Sequence, residues 1–358
     1  MKKFAFLSCL VAIAMMTACG NKTKEGQGAD SLAADSLNEA AVNQDSMRHT
    51  VEYITQRLDS IYKMHSDEKG CSEHYKALVE KAGELSMKTN GVFLDGDHWV
   101  NGNDIGPKFY AKLKKVLEMN DSTAKVEMNV HNFHDQKIIL DLVYERGDWY
   151  VDNFHSFYEE DGDNHEMDEV KFLHEYIRQT SNDIYQDKIE KKYGKNFPIN
   201  KYLDDLRNQW GDVFGVGDNL DLFNEYAVID IDQDGQPELL VRNTERDYTA
   251  VFSLGGGKAK LLTSGDGRTA IVFFEKGVGA QGSCGTGCHT ADYCKLENSK
   301  PTTMLAIYES YSMDGKLIPS ESGWTLNGKS ISKAKADEML EKDIFGPVIY
   351  QTPNWHAL

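Results

Sequence analysis

The hydrophobic period of this chain changes from helical to alternating twice, and that double change limits the architectures open to it. Val51, Ile54, Leu58, Ile61 and Tyr62 recur at helical spacing, and Tyr75, Leu78, Val79, Ala82 and Leu85 share one face of a second helix over 72–87. A further helical stretch is expected within 105–119. The period then drops to two. Ala124, Val126, Met128 and Val130 alternate with polar residues, as do Ile138, Leu140, Leu142 and Tyr144, and Trp149 and Val151 follow a turn at Arg146-Gly147-Asp148. Helices are predicted again over 170–193 and 199–210. Strands follow at 226–229, 239–241, 248–254, 258–262, 269–274, 304–311 and 323–326, with Gly255-Gly256-Gly257 as a hairpin turn. Ser332 suits the cap of a last helix to Leu340. Helices leading into an antiparallel sheet, twice over, predict an α+β fold of two modules.

Between them lies the acidic run 159–169, read as a solvated linker over 159–167 that separates modules at 50–158 and 168–358. Residues 19–49 are polar and rich in small side chains, a composition that predicts a disordered tether. Ahead of it, Met1-Lys2-Lys3 is a positive start, an apolar run follows to Met16, and Thr17-Ala18 precede Cys19. That order predicts a secretory signal peptide over 1–18. The run is about 13 residues, short of the roughly 20 that span a bilayer. A cysteine at the cut after a small residue resembles the lipobox of bacterial lipoproteins. The resemblance implies cleavage before Cys19 and a lipid on its sulfur, which would hold the protein on a membrane. Gly20-Asn21-Lys22 carries neither the Asp of an inner-membrane retention signal nor an acidic export cluster. The expectation is therefore an outer-membrane lipoprotein, similar to those of Bacteroidetes-type bacteria, with periplasmic and surface faces both open.

The full chain carries 39 basic and 57 acidic residues, a net charge of −18, and loss of Lys2 and Lys3 with the leader makes it −20. Such a chain repels phosphate backbones, which argues against nucleic-acid binding. Four cysteines remain after Cys9 and Cys19: Cys71, Cys284, Cys288 and Cys294. In an oxidising compartment they are disulfide candidates, with the pairing open. Zinc bound by the three clustered thiols and His289 is an alternative.

The strongest motif is Asp230-Ile231-Asp232-Gln233-Asp234-Gly235-Gln236-Pro237-Glu238. Carboxylates at positions 1, 3 and 5 can face one centre, glycine at 6 permits a sharp turn, and the Gln236 carbonyl and Glu238 carboxylate fall at 7 and 9. Calcium wants six to eight such oxygens. Position 12 is Val241, so this is not an EF-hand. It is similar to the strand–loop–strand calcium sites of integrin-type repeats and to aspartate-rich loops of bacterial lipoproteins. An acidic turn held by Asx hydrogen bonds without metal is the alternative.

Asp95-Gly96-Asp97-His98 offers a carboxylate pair beside a histidine, an acid–base set for a hydrolase-like enzyme. With Gly147-Asp148-Trp149-Tyr150-Val151-Asp152, this loop resembles uncharacterised lipoprotein domains of cystatin-like or nuclear-transport-factor-like shape. That resemblance implies a cone with a pocket. No nucleotide-binding or hydrolase signature occurs in the sequence. The expectation is a non-enzymatic envelope module, stabilised by calcium, that meets a protein or glycan partner. An enzyme or a small-ligand carrier is the alternative.

Overall fold

The computed structural model describes residues 47–94, 96–160, 162–214, 223–245 and 247–358. The expected signal peptide, Cys19, the expected tether up to residue 46, and Asp95 lie outside them, whereas Arg48 and His49, counted with the tether, contact Trp149 of the first module. Among the described residues, no helix is long and apolar enough to cross a membrane.

Two capped helices open the first module. Thr50 and Ser72 accept hydrogen bonds from Tyr53 N and Tyr75 N, starting α1 (Val51–Met64) and α3 (Glu73–Thr89), with the short α2 (Asp67–Gly70) between them. Their apolar faces pack on one side of a five-stranded antiparallel meander, β1 (Tyr110–Met119), β2 (Thr123–Asn132), β3 (His134–Glu145), β4 (Asp148–Glu160) and β5 (Asp163–Asp168). Ile54, Leu58, Ile61, Tyr75, Val126, Met128, Ile138, Leu140 and Trp149 form its core.

Two expectations are corrected here. The stretch 110–119 is a strand, not a helix. Register shifts between Leu113 and Lys115 and between Val116 and Glu118 insert bulges, so the inward residues Ala111, Leu113 and Val116 lose their period of two and imitate helical spacing. The acidic run is not a linker. Glu159 and Glu160 end β4, and Asp163–Asp168 pairs back on it as the edge strand of the sheet. Asp163 and Glu166 are exposed and blunt an edge that would otherwise invite pairing.

The helix α4 (Glu169–Lys192) starts on an Asp168 cap and serves both cores. Val170, Leu173, Tyr176 and Ile177 pack in the first, and Tyr185 and Ile189 pack in the second. After α5 (Leu203–Phe214) come two sheets. One has five antiparallel strands: β6 (Glu225–Ile229), β7 (Glu238–Asn243), β8 (Tyr248–Ser253), β9 (Lys260–Gly265) and the C-terminal β17 (His356–Ala357) beside β6. The other has seven: β10 (Thr269–Phe274), β11 (Gly277–Gly285), β12 (Cys288–Leu296), β13 (Pro301–Ser310), β14 (Gly323–Leu326), β15 (Lys329–Ser330) and β16 (Val348–Ile349) beside β10. Ser332 caps α6 (Lys333–Glu341). Ala227, Ile229, Leu240, Val251, Phe273, Val278 and Cys294 join the two sheets in a shared core. The protein is thus an α+β fold of two modules.

Close sheet contact depends on glycine in β11. A Cβ on Gly277 would sit 2.2 Å from the Cys294 carbonyl oxygen, and one on Gly282 would sit 2.0 Å from that of Arg268. These are backbone atoms of the neighbouring strand β12 and of the turn before β10, and they cannot step aside. Gly277→Ala should therefore cost at least about 2 kcal/mol, read as a lowered urea midpoint of the second module. An unchanged midpoint would show that the strands separate freely there.

Candidate metal centre

The strand β6 is apolar and buried from Tyr226 to Ile229, and its last step carries Asp230 into the interior. The chain then turns through Gln233 (φ 54°) and Gly235 (φ 90°) and re-enters the sheet at Glu238, opposite Ile229. Nothing crowds a Cβ at Gly235, so glycine is favoured there by backbone conformation, not by space.

Asp230 and Glu238 are both fully buried. Asp230 Oδ2 accepts hydrogen bonds from the Tyr185 hydroxyl (2.6 Å) and Gly235 N (2.7 Å), and Oδ1 accepts one from Asp234 N (3.1 Å). Gln186 clasps the same residue by its backbone, accepting from Asp230 N and donating to Asp230 O. Glu238 Oε2 accepts from Ile231 N at 2.9 Å, and Asp232 Oδ2 from Ser299 N at 2.9 Å. The remaining oxygens, Glu238 Oε1 and Asp232 Oδ1, are buried and no donor of the protein reaches them.

One ligand oxygen each from Asp230, Asp232 and Glu238 lies within 4.8 Å of the others. Among the described residues no basic side chain pairs with these three. Burial, with the neighbouring aspartates adding to it, raises the Asp230 and Asp232 carboxyls and pushes Glu238 well above the usual range. Three clustered oxygen donors, two with an unused buried lone pair, fit a hard divalent cation. The turn's own hydrogen bonds to Asp230 and Asp234 leave Glu238 Oε1 and Asp232 Oδ1 without a donor. Of the five loop ligands expected from sequence, the fold brings these three together. Asp234 instead accepts from Gln236 N (2.7 Å) and the Ser299 hydroxyl (3.2 Å), and the Gln236 carbonyl accepts from the same hydroxyl (3.3 Å). Tyr185, Gln186 and Ser299 were not legible as site residues, because they come from a helix and a turn remote in sequence.

The cysteines separate. Cys284 and Cys288 form a disulfide with Cα atoms 5.2 Å apart, clasping the tip of the β11–β12 hairpin. Cys71 and Cys294 are free and buried in different cores, and burial raises both thiols, Cys294 to about 11. Cys294 stands six residues from Cys288 along one strand, about 20 Å at strand rise, so no zinc site assembles from these thiols.

The Asp97-His98 loop is divided between two ion pairs. Asp97 Oδ2 pairs with His65 Nε2 at 2.5 Å. His98 turns inward, with Nε2 3.0 Å from Asp67 Oδ1 and Nδ1 3.4 Å from Glu169 Oε1. The Tyr75 hydroxyl donates to Glu169, and the Trp99 indole donates to Asp67 at 2.6 Å. Burial lowers the His98 pKa, but the hydrogen bonds and charges of Asp67 and Glu169 outweigh it and raise the value to about 9. Both ring nitrogens face carboxylates, so His98 is an imidazolium that ties α2 and α3 to the start of α4. That arrangement leaves it no free nitrogen to act as a base.

A histidine raised in this way stabilises the fold fully below its unfolded pKa, near 6.5, and loses the effect as pH rises through about 9. The first module should lose about 3 kcal/mol over that window in urea titrations, and His98→Gln should flatten the slope. Equal slopes in both proteins would refute the buried ion pair. No family model, curated protein or solved structure matches this chain.

Proposed function

We propose that this chain is a lipid-anchored protein of the bacterial envelope, held through Cys19, whose second module is braced by calcium and whose task is binding. The observation that carries the cation is the pair of buried oxygens, Glu238 Oε1 and Asp232 Oδ1, without a donor beside a third buried carboxylate. Oxygen-only donors favour calcium over zinc or copper. The envelope reading rests on the Met1–Cys19 sequence and its lipobox resemblance. It agrees with a disulfide at an exposed hairpin tip, which an oxidising compartment permits. The outer membrane is the proposed site, with a protein or glycan as partner. Structural ion pairs at His65, Asp97 and His98 support binding over hydrolysis.

Calcium at ten times its Kd should stabilise the folded protein by about 1.4 kcal/mol, raising the melting temperature of the second module by roughly 3–6 °C. EDTA should reverse the shift, and Asp232→Asn should remove it. A melting temperature unmoved by millimolar calcium would end the cation reading. Intact-mass measurement of protein from envelope fractions checks the anchor: a diacylglyceryl adduct on an N-terminal Cys19 supports it, and an unmodified Cys19 refutes it.

A further inference from the structure

The turn between β12 and β13 places Asn298 and Ser299 at its two central positions, both with φ of 54°, inside reciprocal hydrogen bonds between Glu297 and Lys300. Two central residues with positive φ make a type I′ turn, whose second position favours glycine. Here that position holds a serine, fully buried, at a steric cost that glycine would avoid.

The hydroxyl it brings lies among acceptors. Ser299 Oγ is 3.2 Å from Asp234 Oδ2 and 3.3 Å from the Gln236 carbonyl. A serine has one proton to give and two lone pairs. Its one proton is shared between these two acceptors, so neither is fully satisfied. Ser299 N meanwhile holds Asp232 Oδ2, leaving Oδ1 to the cluster, and Ser299 O accepts from Ser253 Oγ at 2.5 Å. One residue of a turn of the seven-stranded sheet therefore contacts Asp232, Asp234 and Gln236 of the loop between β6 and β7.

We infer that Ser299 supplies a further oxygen to the cation site, so that the site is assembled from both sheets of the second module and its occupancy staples the β12–β13 turn to the β6–β7 loop. This rests on the cation reading above. With a cation present, the lone pairs of the hydroxyl face the metal and its proton goes to one carboxylate, which ends that sharing. Ser299 is then a ligand whose turn also positions Asp232.

Ser299→Gly deletes the hydroxyl while keeping the backbone N–H and easing the turn, so it tests the ligand without threatening the fold. Calcium chloride is titrated calorimetrically into the full mature chain in detergent. The variant should bind about tenfold more weakly or worse. In hydrogen exchange, calcium should slow amides at 296–301 in the native protein and not in the variant. Absence of calcium binding by the native protein overturns the cation reading itself. Native binding matched within twofold by Ser299→Gly, or native binding without slowed exchange at 296–301, overturns the inference about Ser299 and leaves the cation reading standing.

Discussion

Asp230 and Glu238 enter the interior at the two ends of the loop that closes one apolar hairpin, and among the described residues no basic group follows them in. Transfer of a carboxylate out of water is costly unless a counter-charge or several donors replace the lost hydration. The protein supplies some of those donors: Tyr185, the amides of Ile231, Asp234 and Gly235, and on Asp232 the amide of Ser299. It leaves two oxygens bare. Much of the second module is arranged around this partial compensation. The helix α4 reaches the loop through Tyr185 and Gln186, and the seven-stranded sheet reaches it through Ser299. A divalent cation would complete the balance that hydrogen bonds begin.

The same helix links the site to the first module. Its 24 residues extend about 36 Å, with one end in each core. At its start Glu169 is buried against Tyr75 and His98, and near its end Tyr193 donates to the Gly235 carbonyl of the acidic loop. The C-terminal segment adds a strap. Gln179 pairs with both backbone groups of Tyr350, and Glu190 takes Asn354 and His356. The helix is thus held at many points along its length, with the acidic loop in direct contact with it.

Much of this was readable in the sequence where local rules decide. Ser332 caps the helix expected of it, the helix expected over 72–87 forms as α3, and the alternation over 124–130 and 138–144 marks β2 and β3. The aspartate loop was found because glycine at position 6 and acids at odd positions are a local pattern. Failures fell where long-range geometry overrides pattern. Bulges disguised β1 as a helix, and the charges of β5 read as linker because an edge strand needs no apolar face. Glycines hid β11, whose role is to let strands approach and not to fill a core. The pairing of Cys284 with Cys288 and the contribution of Ser299 depend on which strands lie side by side, and spacing along the chain does not encode that.

Diffraction from crystals of the mature chain grown in calcium chloride, recorded at a wavelength where calcium scatters anomalously, addresses the site most directly. A single anomalous peak is predicted about 2.3–2.6 Å from oxygens of Asp230, Asp232 and Glu238. Density there that scatters only as water, with Glu238 Oε1 hydrogen-bonded to it, would contradict a cation site and leave the loop a buried acidic turn.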